Sequence, residues 1–343
     1  MGDRVADLAA ESMASVGHYL EERLLGTSDA GAIEQQLSDL CAPLGEVRDG
    51  VLYEAGVGLV VGLRLVDDRS VVVKLHWWNA SHERLTACLA VQAHLYEAGV
   101  PVPRPLLPVT AIGPGFATVE ELRAGDRADG RRAEIRTAMA TELHRLIVAT
   151  RSLPNPEALE PVWCPRSADA PLWPAPHDTR FDFTASAGGA EWIDDLGRQA
   201  FERLRRADPL PLVVGHTDWR VQNMAFDGDR IIAIYDWDSL AIGAEPVFVG
   251  NAAAVFPTDW RVPHPDPPPT VDEMHAFVRD YETARGNPFS PAEREVLDAA
   301  NLAGLAYSAR CQHSDIVLRP EMGDSSKIGW PRLLRERGEH CFV

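Results

Sequence analysis

One stretch constrains this chain more than any other: His216-Thr217-Asp218-Trp219-Arg220-Val221-Gln222-Asn223, then a strand-turn-strand pattern, then Asp236-Trp237-Asp238. Met224 to Phe226 and Ile231 to Tyr235 are short apolar runs on either side of Asp227-Gly228-Asp229-Arg230, so the segment reads as a hairpin with polar ends. Pairing Phe226 with Ile231 across the turn sets Asn223 opposite Ile234, with Asp236 two residues further along the same strand. Opposed residues share a face and side chains alternate with period two, so Asn223 and Asp236 are expected on the same side. An amide oxygen and a carboxylate that converge suit a hard cation, above all Mg²⁺, which keeps several waters and binds a nucleotide's phosphates. Asp218, five residues before Asn223, is expected to face the same point as an acceptor for a hydroxyl proton. Any one of these residues alone would be an ordinary turn or capping residue; the joint spacing carries the chemistry.

The rest of the chain supplies a frame. Val5, Leu8, Ala9, Met13, Leu20 and Leu24 recur near helical spacing, and Ile33, Leu37 and Leu40 predict a second, shorter helix. Beyond Gly50, Val51 to Glu54, Leu59 to Val66 and Ser70 to Leu75 are β-branched runs broken by glycines or by Asp67-Asp68-Arg69, a three-strand antiparallel meander. A helix over about 81–97 ends at Gly99, Val100-Pro101-Val102-Pro103 cannot be helical, and Phe116 to Leu122 is a further strand. Ala124-Gly125-Asp126 then reads as a turn between lobes. Ile135, Met139, Leu143, Leu146 and Ile147 form one apolar helix face that can found a second core. Residues 152–190 are rich in proline and tryptophan but too apolar for a linker, and read as an ordered excursion. Trp192 to Leu204, Met274 to Tyr281 and Ala292 to Ala309 are helical. The expected division is a helical extension over 1–48, a sheet-plus-helix lobe over 49–122 and a mainly helical lobe over 123–343.

Val71-Val72-Val73-Lys74-Leu75 places one lysine in an apolar strand, where an ammonium is costly unless it meets an anion, and a nucleotide phosphate is a natural one. The formal net charge of -18 disfavours a general nucleic-acid binder and allows a cationic partner. Cys41, Cys88, Cys164, Cys311 and Cys341 form no C-x-x-C pair, so neither a zinc site nor a disulfide framework is indicated. No run of eighteen apolar residues and no signal-peptide pattern is present, so no membrane association is expected and a cytoplasmic location is the default.

Together these residues resemble the catalytic loop and metal-binding strand of the aminoglycoside phosphotransferase and choline kinase-like family, relatives of the eukaryotic protein kinases. The resemblance spans roughly residues 50–310 and implies an α+β, bilobal protein-kinase-like fold, with an antiparallel-sheet N-lobe and a mainly helical C-lobe. It implies Asp218 as catalytic base, Asn223 and Asp236 as Mg²⁺ ligands, and His216 as the structural histidine that opens the catalytic loop, with Asp238 in support. Lys74 stands at the phosphate-binding lysine, Gly56 and Gly58 in the loop that covers phosphates, and Glu121 and Leu122 in the hinge whose backbone receives the adenine ring. The activity implied is transfer of the γ-phosphoryl group of ATP or GTP to a hydroxyl of a small-molecule acceptor, without a covalent enzyme intermediate.

Two departures stand out. No glutamate lies where the family's helix would pair one with Lys74, Glu83 being the nearest acid, and Gly243-Ala244-Glu245-Pro246-Val247-Phe248-Val249 lacks the usual final aspartate. The acceptor is open: the acid excess suits a polycationic aminoglycoside, whereas Trp163, Trp173, Phe181 and Phe183 suit an apolar pocket for a macrolide or a metabolite. Antibiotic resistance is a hypothesis about use, separate from the chemistry. The rival classes are a protein kinase, a non-catalytic nucleotide-binding module that kept the fold, and a metal-dependent hydrolase or glycosyltransferase built on His216, Asp218, Asp236 and Asp238.

Overall fold

The computed structural model describes residues 4–76, 80–153, 157–167, 169–176, 178, 180–260, 267–320 and 329–343. The chain divides into two compact units, Met1–Ala124 and Gly125–Val343.

The first unit opens with three helices, α1 (Val5–Val16), α2 (Tyr19–Leu25) and α3 (Ala30–Cys41). The apolar periodicity that predicts one helix from Val5 to Leu24 is broken at Gly17, whose φ of 86° ends α1 in a conformation that suits glycine. Asp29 caps α3 by accepting from the Ala32 N–H at 2.7 Å. The strands β1 (Val47–Ala55), β2 (Leu59–Leu65), β3 (Ser70–Leu75), β4 (Pro105–Ile112) and β5 (Gly115–Glu121) form one antiparallel sheet in the order β1-β2-β3-β5-β4, and α4 (His82–Glu97) lies between β3 and β4 in sequence. β4 was not expected, because its prolines suppress a strand reading; it takes the edge, where missing N–H donors are tolerated, with two register irregularities.

One face of this sheet is apolar. Leu59, Val61, Leu63, Leu65, Val71, Val73, Leu75, Ala117 and Val119 share a core with Val5, Leu24, Ile33 and Leu37 from the three helices, so the helices are the cover of the sheet. Residues one step out of phase, among them Lys74, Thr118 and Glu120, carry the polar chemistry on the opposite face. There Gln92 of α4 donates from Nε2 to Glu120 and, at 3.0 Å, to the Pro103 carbonyl.

The second unit contains α5 (Ala133–Thr150), α6 (Glu191–Arg206), β6 (Leu212–His216), β7 (Met224–Asp227), β8 (Arg230–Ile234), β9 (Leu240–Ala244), α7 (Glu245–Val255), α8 (Val271–Arg285), α9 (Pro291–Leu318) and α10 (Trp330–Arg337). The α5 face read from the sequence is its core: Ile135, Met139, Leu143, Leu146 and Ile147 are each fully buried. α8 and α9 both start on capping boxes, Thr270 with Glu273 and Ser290 with Glu293, which fixes where each helix begins. Two small antiparallel ribbons, β6–β9 and β7–β8, sit among these helices.

Within 152–190 the described residues are ordered by packing. Val162 and Ile242 are tied through the Val162 N–H to Ile242 carbonyl bond at 2.8 Å, alongside β9. Trp173 and Phe181 are buried, Trp173 against Phe201 and Tyr307. Arg310, itself buried, donates to the Phe183 carbonyl at 2.6 Å and to Ser186 Oγ at 3.0 Å. Trp173 and Phe181 therefore serve the interior of this unit, whereas Trp163 is exposed and anchored by its Nε1–H to the Leu172 carbonyl at 3.1 Å. The remaining residues of the excursion, 154–156, 168, 177 and 179, lie outside the described residues.

Candidate active site

The two ribbons bring the polar loop residues together. β6 pairs with β9 so that His216 opposes Leu240, and β7 pairs with β8 so that Met224 opposes Ile234. Residues 217–223 and 235–239 are therefore linked at both ends by strand pairing. Gly215 is required beneath them, since a Cβ there would lie 2.6 Å from the Phe248 ring.

His216 is 1% exposed and sits edge-on to Trp219 and Trp237, at centroid separations of 5.8 and 5.5 Å. Its Nδ1 accepts from the Asp218 N–H at 3.1 Å, and its Nε2 donates to the Tyr235 carbonyl at 3.1 Å. The imidazole thus spans the two segments, fixing the backbone of Asp218 relative to the residue before Asp236. Both flanking tryptophans are pinned as well, Trp219 to the Met139 carbonyl at 3.1 Å and Trp237 to the Ile234 carbonyl at 2.7 Å.

Asp218 is partly exposed, and its Oδ2 is held twice, by Asn223 Nδ2 at 2.9 Å and by Arg220 Nη2 at 2.8 Å. Asn223 Nδ2 also donates to the Asp218 carbonyl at 2.9 Å. Both amide protons are accounted for, which turns the Asn223 carbonyl oxygen away from Asp218 as the atom a cation could use. On the other segment Asp236 has φ 72° and ψ 43°, a left-handed conformation that costs a non-glycine residue about 1–3 kcal/mol. Ser239 secures it: its hydroxyl donates to Asp236 Oδ2 at 2.7 Å and its N–H to the Asp236 carbonyl at 3.0 Å. The Ser239 carbonyl in turn accepts from both the N–H and the hydroxyl of Thr217, at 2.9 and 2.8 Å. Asp238 lies within the short 3₁₀ turn Trp237–Ser239 and is partly exposed.

The expected route to this arrangement is corrected in one respect. The hairpin does pair Phe226 with Ile231, but an irregularity between Ala225 and Phe226 shifts the register, so Ala225 opposes Ala233 and the Asn223 carbonyl accepts from Tyr235 N–H at 2.8 Å. Asn223 opposes Tyr235, not Ile234, and belongs to the 3₁₀ turn Val221–Asn223. Strand alternation runs through neither Asn223 nor Asp236, and it is the His216, Ser239 and Asn223 hydrogen bonds that gather the loop.

The donor set fits Mg²⁺: one amide oxygen and one carboxylate are hard ligands, and such a site leaves room for phosphate and water oxygens. Among the described residues no cluster of three or more His, Cys, Asp or Glu side chains forms a metal site by itself.

The first unit places the other candidates. Lys74 is in β3 opposite Thr118, with Glu120 opposite Val72. Residues two apart share a face and paired residues do too, so Glu120 of β5 and Glu54 of β1, which opposes Val60 beside Lys74, both lie on the Lys74 side of the sheet. Glu83 is exposed in the first turn of α4. Gly56 and Gly58 close the β1–β2 turn, with the Gly56 N–H donating to the Gly58 carbonyl at 2.9 Å. A Cβ on Gly58 would lie 2.6 Å from the Leu75 carbonyl oxygen, whereas Gly56 faces open space, so only Gly58 is demanded by sterics. The N–H groups of Glu121 and Leu122 are spent on the carbonyls of Arg104 and Ser70, both at 3.0 Å, so neither is a backbone donor for a base. Sequence reasoning passed over Arg220, Ser239 and Thr217. The available signal was a cation two places from a candidate base and two hydroxyls flanking the candidate acids.

The sequence matches the model of the phosphotransferase enzyme family over residues 60–248. A comparison with curated proteins gave no significant match. Among solved structures, the amicoumacin kinase hAmiN in complex with AMP-PNP, Ca²⁺ and Ami is similar at a TM-score of 0.66 and 13% identity, over 90% of this chain and 96% of that one. Spectinomycin phosphotransferase APH(9)-Ia with ADP and spectinomycin gives a TM-score of 0.52 at 14% identity, over 89% and 94% of the two chains. Macrolide 2′-phosphotransferase MphH from Brachybacterium faecium gives 0.51 at 16%, over 83% and 97%. The fold is thus the protein-kinase-like phosphotransferase fold expected from the sequence. Among the described residues no helix is long and apolar enough to cross a membrane.

Proposed function

The chain belongs to the phosphotransferase enzyme family, and from that premise we propose that it is a kinase moving the γ-phosphoryl group of ATP or GTP to a hydroxyl of a small molecule. The observation that carries this reading is the state of Asp218. One carboxylate oxygen is fixed by Asn223 and Arg220, and the other remains as an acceptor on a partly exposed loop.

In the transfer, the acceptor oxygen attacks the γ-phosphorus, its proton passes to the Asp218 carboxylate, and the bond from phosphorus to the β-phosphate oxygen breaks to release the diphosphate. Asp218 is the base and His216 holds its backbone. Asn223 both orients Asp218 through Nδ2 and offers its carbonyl oxygen to the metal, with Asp236 as the second protein ligand. Mg²⁺, when bound, offsets charge on the phosphates. Lys74 and the Gly56–Gly58 turn bind phosphate, with Glu120 and Glu54 as acids on the lysine's side of the sheet. AMP-PNP and ADP in the similar amicoumacin and spectinomycin kinases support a nucleotide co-substrate, and the named substrates of those proteins support a small-molecule acceptor.

The test is a coupled turnover screen of ATP and GTP against aminoglycosides, macrolides, amino alcohols and sugars, run on wild type, Asp218→Ala and Asp236→Ala. At least one acceptor is phosphorylated by wild type. Asp218→Ala lowers kcat about 10²- to 10⁴-fold while nucleotide affinity holds. Asp236→Ala instead weakens Mg²⁺-dependent nucleotide binding in calorimetry. Tight nucleotide binding with no acceptor phosphorylated would replace this reading by the non-catalytic module.

A further inference from the structure

We infer that the counter-ion of Lys74 comes from the sheet and not from α4: Glu120 of β5 positions the lysine, and Gln92 of α4 holds Glu120. The pairing rests on the geometry of the first unit alone; that Lys74 then meets phosphate rests on the kinase reading above. Lys74 stands between the buried Val73 and Leu75 in a strand that is otherwise apolar apart from Ser70, so its ammonium needs an anion at hand. The middle of α4 offers none. Its acids are Glu83 and Glu97, both exposed and at opposite ends of the helix. Its buried residues are Leu85, Cys88, Val91, Gln92 and Leu95, so the polar side chain that it turns inward is an amide.

Glu120 and Glu54 share the face of the sheet that carries Lys74, and distance separates them. Glu120 opposes Val72 on the adjoining strand and is diagonal to Lys74; such neighbours are about 7–8 Å apart, within reach of two long side chains. Glu54 is two strands away, at about 9–10 Å, and is exposed, where water screens its charge. Glu120 is half-buried opposite the buried Val72, so its charge acts through a less polar medium. It is also fixed in place. Gln92, 3% exposed, donates from Nε2 both to Glu120 Oε2 and, at 3.0 Å, to the Pro103 carbonyl, one N–H for each. With Oε2 engaged, Oε1 is the oxygen that serves Lys74. His76, two residues beyond Lys74, is bonded through Nε2 to Thr118 Oγ1 at 2.8 Å and brings no negative charge. A helix amide and a strand carboxylate thus divide what one helix glutamate would do: Gln92 ties α4 to the sheet, and Glu120 supplies the charge.

The chain has two lysines, Lys74 and Lys327, so amine acylation followed by mass spectrometry reads Lys74 directly against an internal reference. Acetic anhydride reacts with the neutral amine, and a nearby carboxylate that keeps the ammonium charged slows the reaction. Wild type, Glu120→Gln, Glu54→Gln and the double variant Gln92→Glu with Glu120→Gln are labelled with trace reagent at about pH 8. Glutamine in place of Glu120 still accepts from Gln92, so that variant loses charge and keeps shape. The expected result is that Lys74, relative to Lys327, is acylated about tenfold faster in Glu120→Gln, the effect of one pKa unit. Glu54→Gln stays within about twofold of wild type, and the double variant, whose carboxylate enters the same junction from the helix, is slow again. A Lys74 rate that Glu120→Gln leaves unchanged, or that Glu54→Gln raises instead, overturns the assignment. Acceleration that the double variant does not reverse reflects lost structure rather than lost charge, and overturns it as well. Mg²⁺–AMP-PNP added to wild type protects Lys74 from acylation; lack of protection would count against the kinase reading and leave the ion pair standing.

Discussion

Replacing His216 by phenylalanine keeps an aromatic ring between Trp219 and Trp237 and removes both ring nitrogens. What it leaves behind sets the magnitude. The Asp218 N–H and the Tyr235 carbonyl, bonded to His216 at 3.1 Å each, lose their partner beside a side chain that is 1% exposed. A buried polar group without a partner costs about 1–3 kcal/mol, so the two together cost about 2–5 kcal/mol after local relaxation. In a unit of this size each kcal/mol moves the melting temperature by about 2–4 °C, which predicts a fall of about 5–15 °C by scanning calorimetry. Turnover falls with it, because Asp218 and the residue before Asp236 are no longer tied to one ring. Glutamine has one donor and one acceptor of its own, so His216→Gln is expected to regain much of the stability and a measurable part of the turnover. A phenylalanine variant that melts and turns over like wild type would refute the bridging role. Stable phenylalanine and glutamine variants that are equally inactive would instead assign His216 to proton transfer.

Two further outcomes concern the frame of the second unit. Asp298, fully buried, pairs with Arg337 at 2.6 Å and Arg203 at 2.7 Å and accepts from the N–H groups of Cys341 and Phe342 at 2.8 and 2.9 Å. Burial pushes its carboxyl up, but Arg337, the backbone donors and Arg203 outweigh that and hold it below the usual value. A depressed folded value means that its stabilisation is whole above about pH 4 and is lost as the pH falls through the folded value. Asp298→Asn therefore costs about 3–5 kcal/mol in urea unfolding at pH 7 and shows a shallower loss below pH 4; parallel acid limbs for the two proteins would contradict this. Gly215→Ala forces a methyl group to 2.6 Å from the Phe248 ring and is expected to cost about 1–3 kcal/mol, and an unchanged melting temperature would show that the ring moves freely.

The parts of the molecule legible in the sequence are those written in a local period or a fixed spacing. The α5 stripe is one, since every residue assigned to it is buried. The hairpin ending in Asp236 is another, because its turn residues and apolar runs lie within a dozen positions. What escaped depends on conformations a one-dimensional pattern does not record. The shift between Ala225 and Phe226 and the left-handed backbone of Asp236 both break the strand alternation between Asn223 and Asp236 that the sequence pattern predicts. β4 escaped because edge position, which excuses its prolines, is known only once the sheet order is known. The three leading helices read as an extension because their apolar faces give no hint of what they cover, which is the back of the sheet that carries Lys74.

The same distinction separates the candidate catalytic residues from their supports. Asp218, Asn223 and Asp236 are visible because chemistry demands those atom types at that separation, whatever lies around them. Arg220, Ser239 and Thr217 are visible only as distances, since an arginine or a hydroxyl in a loop has many uses. Yet these supports decide which oxygen of each carboxylate is engaged: Ser239 and Arg220 each take an Oδ2, and Thr217 locks Ser239 in place. A carboxylate with one oxygen tethered loses rotational freedom about χ2, so its second oxygen can be held at one point in space, as both a base and a metal ligand require. A search of related chains by the three acid and amide positions alone would accept loops that lack this tethering. Requiring in addition a hydroxyl three residues after the second aspartate and a cation two residues after the first would select loops in which both carboxylates are held.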